Sequence, residues 1–324
     1  MNVKYTGRFE FSKVDGPEFA WSGSTISARF CGTSVYVKLS SDNENYFTVL
    51  LDGKVIIEVL RVIGTYSYKL ATELVYGDHE VSIVKRTEFS SGKVQFLGFD
   101  FGEGSELSPS KPLDRKIEFI GDSLICGFGM DAENEDVEYE PKYDNPYLSY
   151  VSITARALNA ECYIMGRPGL GVIRKWDGDM TTPMPSKYDY IAEENELAWD
   201  YKAWTPQLVV INLGTNDFCG GFIPGRNDFV EPYINLIKKV QQNYLNAKII
   251  CTIGPVIEDI ALSTTREYVQ HGVMEYFDKD TVYFCEFEHQ SEKNGYGVTK
   301  HPSVKTHELM AKELIEKIRE VMNW

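Results

Sequence analysis

Lys116-Ile-Glu-Phe-Ile-Gly-Asp-Ser-Leu-Ile125 is a run of apolar and β-favouring residues that stops abruptly at Gly121-Asp122-Ser123. The pattern predicts a buried strand ending in polar residues. In open α/β sheets ligands bind at the carboxyl edge, just past such strands. Gly121 permits a tight turn, and Ser123 opens the next segment. A serine there can point its hydroxyl into a cleft, beside the free N–H groups of a helix start. The tripeptide alone reads more readily as a turn with an N-capping serine, so the rest of the chain decides.

Three further motifs lie downstream. Met165-Gly166-Arg167-Pro-Gly169-Leu-Gly171 closes a second strand-like run, and Gly214-Thr-Asn-Asp217 follows Leu208-Val-Val-Ile-Asn-Leu213 directly. His301-Pro-Ser303 precedes the last helix. Apolar runs at 117–120, 162–165, 208–213, 248–253 and 282–285 alternate with helical stretches. Val151, Ala155 and Leu158 share one helical face, as do Ile234, Ile237 and Val240, and Met310, Leu314, Ile318 and Val321. Alternation of this kind implies a doubly wound parallel sheet, whose right-handed crossovers gather every strand end on one edge. A serine, a glycine amide, an asparagine amide and a histidine can meet there.

That set suits acyl transfer. A neutral serine needs a base to take its proton. An imidazole titrates near neutrality and can return that proton to a leaving alcohol. The tetrahedral oxyanion needs preorganised donors, and the Ser123 N–H, a glycine N–H and the Asn216 side chain are candidates.

Upstream, residues 1 to about 105 read as all β. Ser24–Phe30, Ser34–Leu39, Tyr46–Leu51, Lys54–Val59, His79–Val84 and Lys93–Phe99 are short, β-branched and aromatic, with turn signals such as Cys31-Gly-Thr and Asp52-Gly53 between them. The spacing suggests a sandwich. Trp21 and Tyr66 are candidate sugar platforms there, although core or rim packing is commoner for such residues. Gly102-Glu-Gly-Ser-Glu-Leu-Ser-Pro-Ser-Lys-Pro112 is a linker, giving domains 1–108 and 109–324.

The 324 residues carry a formal net charge of -15, which argues against nucleic acid or an anionic membrane as partner. The N-terminus has no apolar signal-peptide core and no run reaches the ~20 residues that span a bilayer, so a cytoplasmic location is expected. The six cysteines form no close pair, and no Cys/His/Asp set has zinc spacing, so neither metal nor cofactor is expected. Acidic residues crowd 131–140 without calcium-loop spacing, which reads as a solvated insertion bordering the site. Oligomeric state is not readable.

Taken in order, Gly121-Asp-Ser123, Gly166, Asn216 and His301-Pro302 resemble the four blocks of the SGNH (GDSL-type) hydrolases. Trp21-Ser-Gly-Ser, Arg29-Phe-Cys-Gly-Thr33, Gly77-Asp-His-Glu-Val-Ser-Ile-Val-Lys-Arg-Thr-Glu88 and the lead-in Trp204-Thr-Pro-Gln-Leu-Val-Val-Ile-Asn-Leu-Gly-Thr-Asn-Asp217 extend the likeness over nearly the whole chain, which resembles carbohydrate esterase family 2. The resemblance implies a jelly-roll-like sandwich followed by an SGNH domain. It also implies removal of acetyl groups from plant polysaccharides or oligosaccharides of the xylan or mannan type. By that analogy Ser123 is the nucleophile and His301 the base. Ser123, Gly166 and Asn216 form the oxyanion hole.

Two positions depart from the pattern. The family commonly places an aspartate two or three residues before the histidine, where this chain has Thr299 and Val298. Some members of the resembled family use a Ser–His dyad with a backbone carbonyl orienting the ring, so the resemblance implies a dyad here, and distant carboxylates such as Glu286 and Glu288 are not promoted. Pro168 interrupts the glycine block, so Gly166 is favoured and Gly169 is the fallback. Trp176, Trp199 and Trp204 are candidate stacking residues for sugar, Trp204 being singled out for substrate binding. Two other readings stay open: a carbohydrate-binding protein with a decayed site, and an SGNH esterase, lipase or thioesterase acting on another acyl ester. Turnover of an activated acetyl ester and chain-length preference separate them.

Overall fold

The computed structural model describes residues 2–192 and 197–324. The N-terminal domain holds β1 (Val3–Thr6), β2 (Glu18–Phe19), β3 (Thr25–Gly32), β4 (Val35–Leu51), β5 (Lys54–Ala71), β6 (Gly77–Lys85), β7 (Val94–Asp100) and β8 (Ser105–Glu106). They form one antiparallel sheet of order β1-β3-β6-β4-β7-β2, with β5 added to β4 and β8 to β3.

The runs 34–39 and 46–51, read above as separate strands, are one strand. β4 bends at a register shift between Ser41 and Asn45. Its first half pairs with β7 and its second half with β6. One strand thus serves both halves of a folded sheet, which closes over Phe19, Phe30, Val37, Leu39, Phe47 and Ile83. An irregularity of this kind bends the strand at the corner and disrupts the ladder only locally. Strand β5 is also longer than the 54–59 segment predicted, because Asp52-Gly53 makes a tight turn and β5 then follows β4 back along its length.

The C-terminal domain contains β9 (Arg115–Gly121), α1 (Ser123–Cys126), α2 (Tyr150–Ala157), β10 (Ala160–Gly166), β11 (Leu208–Asn212), α3 (Arg226–Asn243), β12 (Lys248–Ile253), α4 (Asp259–Tyr268), β13 (Val282–Glu286) and α5 (Val304–Met322). The five strands are parallel, in the order β10-β9-β11-β12-β13. The chain therefore reverses direction of winding at β9, with β9 and β11 as neighbours. That is the topological switch point, where ligands bind in such sheets. The predicted helical faces are buried: Val151 and Ala155 on α2, Ile234, Ile237 and Val240 on α3, Met310, Leu314, Ile318 and Val321 on α5.

The two domains share a buried seam. Arg8, from the sandwich, is fully buried and reaches Glu118 on β9 at 3.2 Å. It also donates to the carbonyls of Tyr188 and Tyr190. Trp21 is buried too, donating its indole N–H to the Ile191 carbonyl at 2.7 Å, so it is an interface residue and no sugar platform. Gly23 lies so close to Ile164 that a Cβ there would meet the Ile164 side chain at 2.6 Å.

Candidate active site

Ser123 is the first residue of α1, directly after β9. At that position its N–H has no intrahelical acceptor. Asp122 caps the turn, its Oδ1 accepting the Leu124 N–H at 3.0 Å. Gly127 closes it with φ 64°, a left-handed conformation that glycine adopts at little cost. One tight turn thus presents the hydroxyl at the sheet edge.

His301 arrives from the far end of the domain. Its Nε2 stands 3.1 Å from Ser123 Oγ. Its Nδ1 lies 2.9 Å from the Val298 carbonyl oxygen and 3.1 Å from Thr299 Oγ1. The Thr299 hydroxyl itself donates to the Val298 carbonyl at 2.8 Å. A carbonyl only accepts, so Nδ1 carries the proton and Nε2 is left to accept one from serine. Protein packed around the ring strips water from the imidazolium and lowers the His301 pKa, and the Val298 carbonyl opposes this. Phe128 packs beside the ring at 4.7 Å between centroids. Glu286 is engaged with Arg266, and the Glu288 backbone is tied to Glu313; no contact links either glutamate to His301.

Asn216 follows β11, across the switch point from Ser123. Its Nδ2 donates to Asp122 Oδ2 at 2.9 Å and to the Leu170 carbonyl at 3.1 Å. Asp217 accepts from the N–H groups of Val172 and Ile173 at 2.9 and 2.8 Å, so it braces the glycine block. Burial raises the Asp122 pKa to about 7, against the Leu124 N–H, which lowers it. Burial likewise raises Asp217 to about 6, opposed by its backbone donors.

The glycine block departs from expectation. Gly166 pairs with Gly121 at the end of β10, and the Arg167 N–H donates to the Gly121 carbonyl at 3.1 Å. Successive amides along a parallel strand face opposite sides. The Gly166 N–H therefore points away from β9, toward the free edge of the sheet and not toward Ser123. Gly169, the fallback, has φ 80°. Its neighbour Leu170 holds Asn216, and its own carbonyl accepts the Trp176 N–H at 3.0 Å.

The three tryptophans separate as well. Trp204 precedes β11 and so lies at the amino edge of the sheet, opposite the serine. It is 6% exposed, stacks on Tyr163 at 3.7 Å and donates to Glu161 at 3.1 Å. The expectation that it binds substrate is corrected: it is a structural residue. Trp199 lies against the buried Arg8 guanidinium. Trp176 is 62% exposed and covers Gly169, next to the site. Chain order carried a signal for two of them: Trp204 precedes its strand and Trp176 follows one, which in a parallel sheet means opposite edges.

The acidic insertion does border the site. The Glu135 carbonyl accepts the Thr299 N–H at 3.0 Å, and Tyr139 stacks on Phe128 at 4.3 Å. The sandwich approaches from the other side: Arg86 contacts Asp131 at 2.5 Å, and Glu88 lies 3.9 Å from Arg167. A groove of about 710 Å³ between β5 and residues 294–305 includes neither Ser123 nor His301. Among the described residues no cluster of His, Cys, Asp and Glu is arranged to hold a metal, and no helix is long and apolar enough to cross a membrane.

A serine–histidine pair at the switch point of a five-stranded parallel sheet defines a hydrolase of the GDSL-like class, and residues 117–314 match the GDSL-like Lipase/Acylhydrolase family. Residues 5–110 match the Carbohydrate esterase 2 N-terminal family. The chain is 41% identical, over 99% of its length, to the Cellulase/esterase CelE of Acetivibrio thermocellus, of which it spans 40%. It is 26% identical over its full length to an acetylxylan esterase / glucomannan deacetylase of Cellvibrio japonicus, covering 90% of that protein. It superposes with a TM-score of 0.96 on a family two carbohydrate esterase from Clostridium thermocellum solved in complex with cellohexaose, at 41% identity and 99% coverage of both chains. The chain belongs to carbohydrate esterase family 2.

Proposed function

We propose that this protein is a carbohydrate O-acetyl esterase working through a Ser123–His301 dyad. The observation that carries the reading is the line from the Val298 carbonyl through the His301 imidazole to Ser123 Oγ, at 2.9 and 3.1 Å. His301 Nε2 takes the serine proton as Oγ attacks the acetyl carbonyl. The resulting oxyanion is met by the Ser123 N–H, the Gly169 N–H and Asn216 Nδ2, whose second hydrogen leaves the Leu170 carbonyl for the ligand. The imidazolium returns its proton to the departing sugar hydroxyl, leaving acetyl-Ser123. Water, deprotonated by the same imidazole, then releases acetate and restores the serine.

Acetylated β-linked glycans of the xylan or mannan type are the proposed substrates. The names of the relatives support this, as does the exposed indole of Trp176 beside Gly169, a surface on which a pyranose ring can stack. The test is hydrolysis of 4-nitrophenyl acetate and of acetylated manno- and xylo-oligosaccharides by wild type and Ser123→Ala. Acetate release that vanishes in the variant supports the mechanism. Equal rates in both proteins remove Ser123 as nucleophile, and no turnover by wild type returns the chain to a binding role.

A further inference from the structure

The acceptor that orients His301 is a backbone carbonyl, and a carbonyl is only as well placed as the loop carrying it. This loop is strained. Thr299 and Lys300 have φ of 51° and 61°, a left-handed conformation costing non-glycine residues on the order of 1–2 kcal/mol each. Such backbone persists only where its surroundings enforce it. Gln290 holds the Lys300 carbonyl at 2.8 Å, and two further enforcing contacts come from residues 127–144. Gly129 accepts the Val298 N–H at 3.1 Å, and Glu135 accepts the Thr299 N–H at 3.0 Å. The approach is close: a Cβ on Gly129 would stand 2.9 Å from Val298 Cβ.

At the centre of that segment lies Asp144, fully buried. Its Oδ1 accepts the Gly129 N–H at 2.9 Å, and its Oδ2 accepts the Tyr139 hydroxyl at 2.9 Å. We propose that Asp144 is a positioning residue for His301, holding the imidazole through two separate arms. One arm runs from Asp144 to the Gly129 N–H and, through the Gly129 backbone, from its carbonyl to Val298, whose own carbonyl takes the Nδ1 proton. The other runs through Tyr139, stacked on Phe128 at 4.3 Å, to the face of the His301 ring. Burial pushes the Asp144 pKa up to about 8, so the side chain acts through its hydrogen bonds and not its charge, fixing at second hand the orientation that an aspartate beside the histidine fixes directly. The titratable groups facing Asp144 are Lys85, Arg86 and Glu88 from the sandwich, and Cys126 and Tyr139 from its own domain.

The inference rests on Ser123 and His301 being the reacting pair. Asp144→Ala, Asp144→Asn, Tyr139→Phe and Ser123→Ala are compared with wild type on 4-nitrophenyl acetate, with folding checked by near-ultraviolet circular dichroism. Asp144→Ala is expected to lower kcat about tenfold or more, a fraction of what a positioned base supplies, with KM changed less than about twofold. With the Val298 carbonyl displaced, the imidazolium loses its acceptor, so the acid limb of the pH–kcat/KM profile moves to lower pH. Asp144→Asn keeps an oxygen for Gly129 and recovers most of kcat. Tyr139→Phe keeps the stack, loses the hydroxyl arm and falls between. A folded Asp144→Ala with wild-type kcat and acid limb overturns the proposal. If that variant does not fold, Tyr139→Phe with wild-type kcat and acid limb overturns it. Turnover surviving in Ser123→Ala removes the dyad and the proposal together; turnover lost there, but unchanged in the Asp144 and Tyr139 variants, removes the positioning role alone.

Discussion

The Val298 carbonyl oxygen lies 2.9 Å from Nδ1 of His301, in the place where a carboxylate commonly stands. A carbonyl fixes the tautomer as a carboxylate does, but it brings a dipole and no full charge. Removing a charged orienter leaves the imidazolium less stabilised, while the oxyanion donors still act.

The pH dependence follows from this. Burial lowers the His301 pKa, and the Val298 bond only partly restores it. A lowered pKa keeps the imidazole neutral, and active as a base, to lower pH. The acid limb of kcat/KM is expected below the ordinary histidine value. Thr299→Asp places a carboxylate where Oγ1 now stands, 3.1 Å from Nδ1, at a φ that aspartate tolerates. The added charge favours imidazolium, so the acid limb of that variant moves upward. A pH profile of 4-nitrophenyl acetate hydrolysis for both proteins measures the two limbs, and a Thr299→Asp limb at or below wild type counts against the geometry.

Asn216→Ala removes one oxyanion donor. Loss of such a donor typically costs about 100- to 1,000-fold in kcat. KM is expected to change little, because the ground-state carbonyl makes weaker use of that donor than the oxyanion does. The same variant leaves Asp122 Oδ2 without its 2.9 Å partner in a buried setting, so its melting temperature is also expected to fall. Steady-state kinetics and a thermal melt check the two effects separately.

Trp204 and Trp176 are expected to diverge. Trp204→Ala empties a buried stack on Tyr163, and such truncations cost about 3–5 kcal/mol of stability. KM for acetylated oligosaccharides stays near wild type in that variant. Trp176→Ala, at an exposed position, leaves the melting temperature nearly unchanged and raises KM for oligosaccharides more than for 4-nitrophenyl acetate. The reverse assignment of effects refutes the placement of substrate beside Gly169.

Arg8→Ala strands Glu118 as a buried charge, and breaking a buried pair from one side typically costs about 3–5 kcal/mol. Both domains are expected to lose stability together, because the pair joins the sandwich to β9. A double variant, Arg8→Met with Glu118→Leu, is expected to be more stable than Arg8→Ala, since no charge is left unpaired. Denaturant unfolding of the three proteins gives the comparison.

Sequence by itself determined the order of the parallel strands and the residues at their ends. Periodicity is local: alternation at 2 or 3.6 residues marks which face is buried, and with the apolar runs it located the five parallel strands and the buried faces of α2, α3 and α5. Polar residues stranded after apolar runs, as at Gly121-Asp122-Ser123 and Gly214-Thr-Asn-Asp217, had to sit on one edge once the strands were parallel. The backbone acceptor for His301 came from the family resemblance, whose usual aspartate is absent at Val298 and Thr299, and not from periodicity.

Only the tertiary structure decided matters that depend on which way a group points. The Gly166 amide turns outward because ladder bonds alternate, and no spacing in the chain reveals that phase. Trp204 is buried in a stack on Tyr163 while Trp176 is exposed over Gly169, a difference in burial that chain order does not show. β4 remains one strand through its bend because β6 and β7 take turns as its partners, which are contacts between residues distant in sequence. Asp144, lying past a surface-like acidic run, bears on His301 only through Gly129 and Tyr139. Such roles are set by long-range contacts and by bond directions, and a linear sequence records neither.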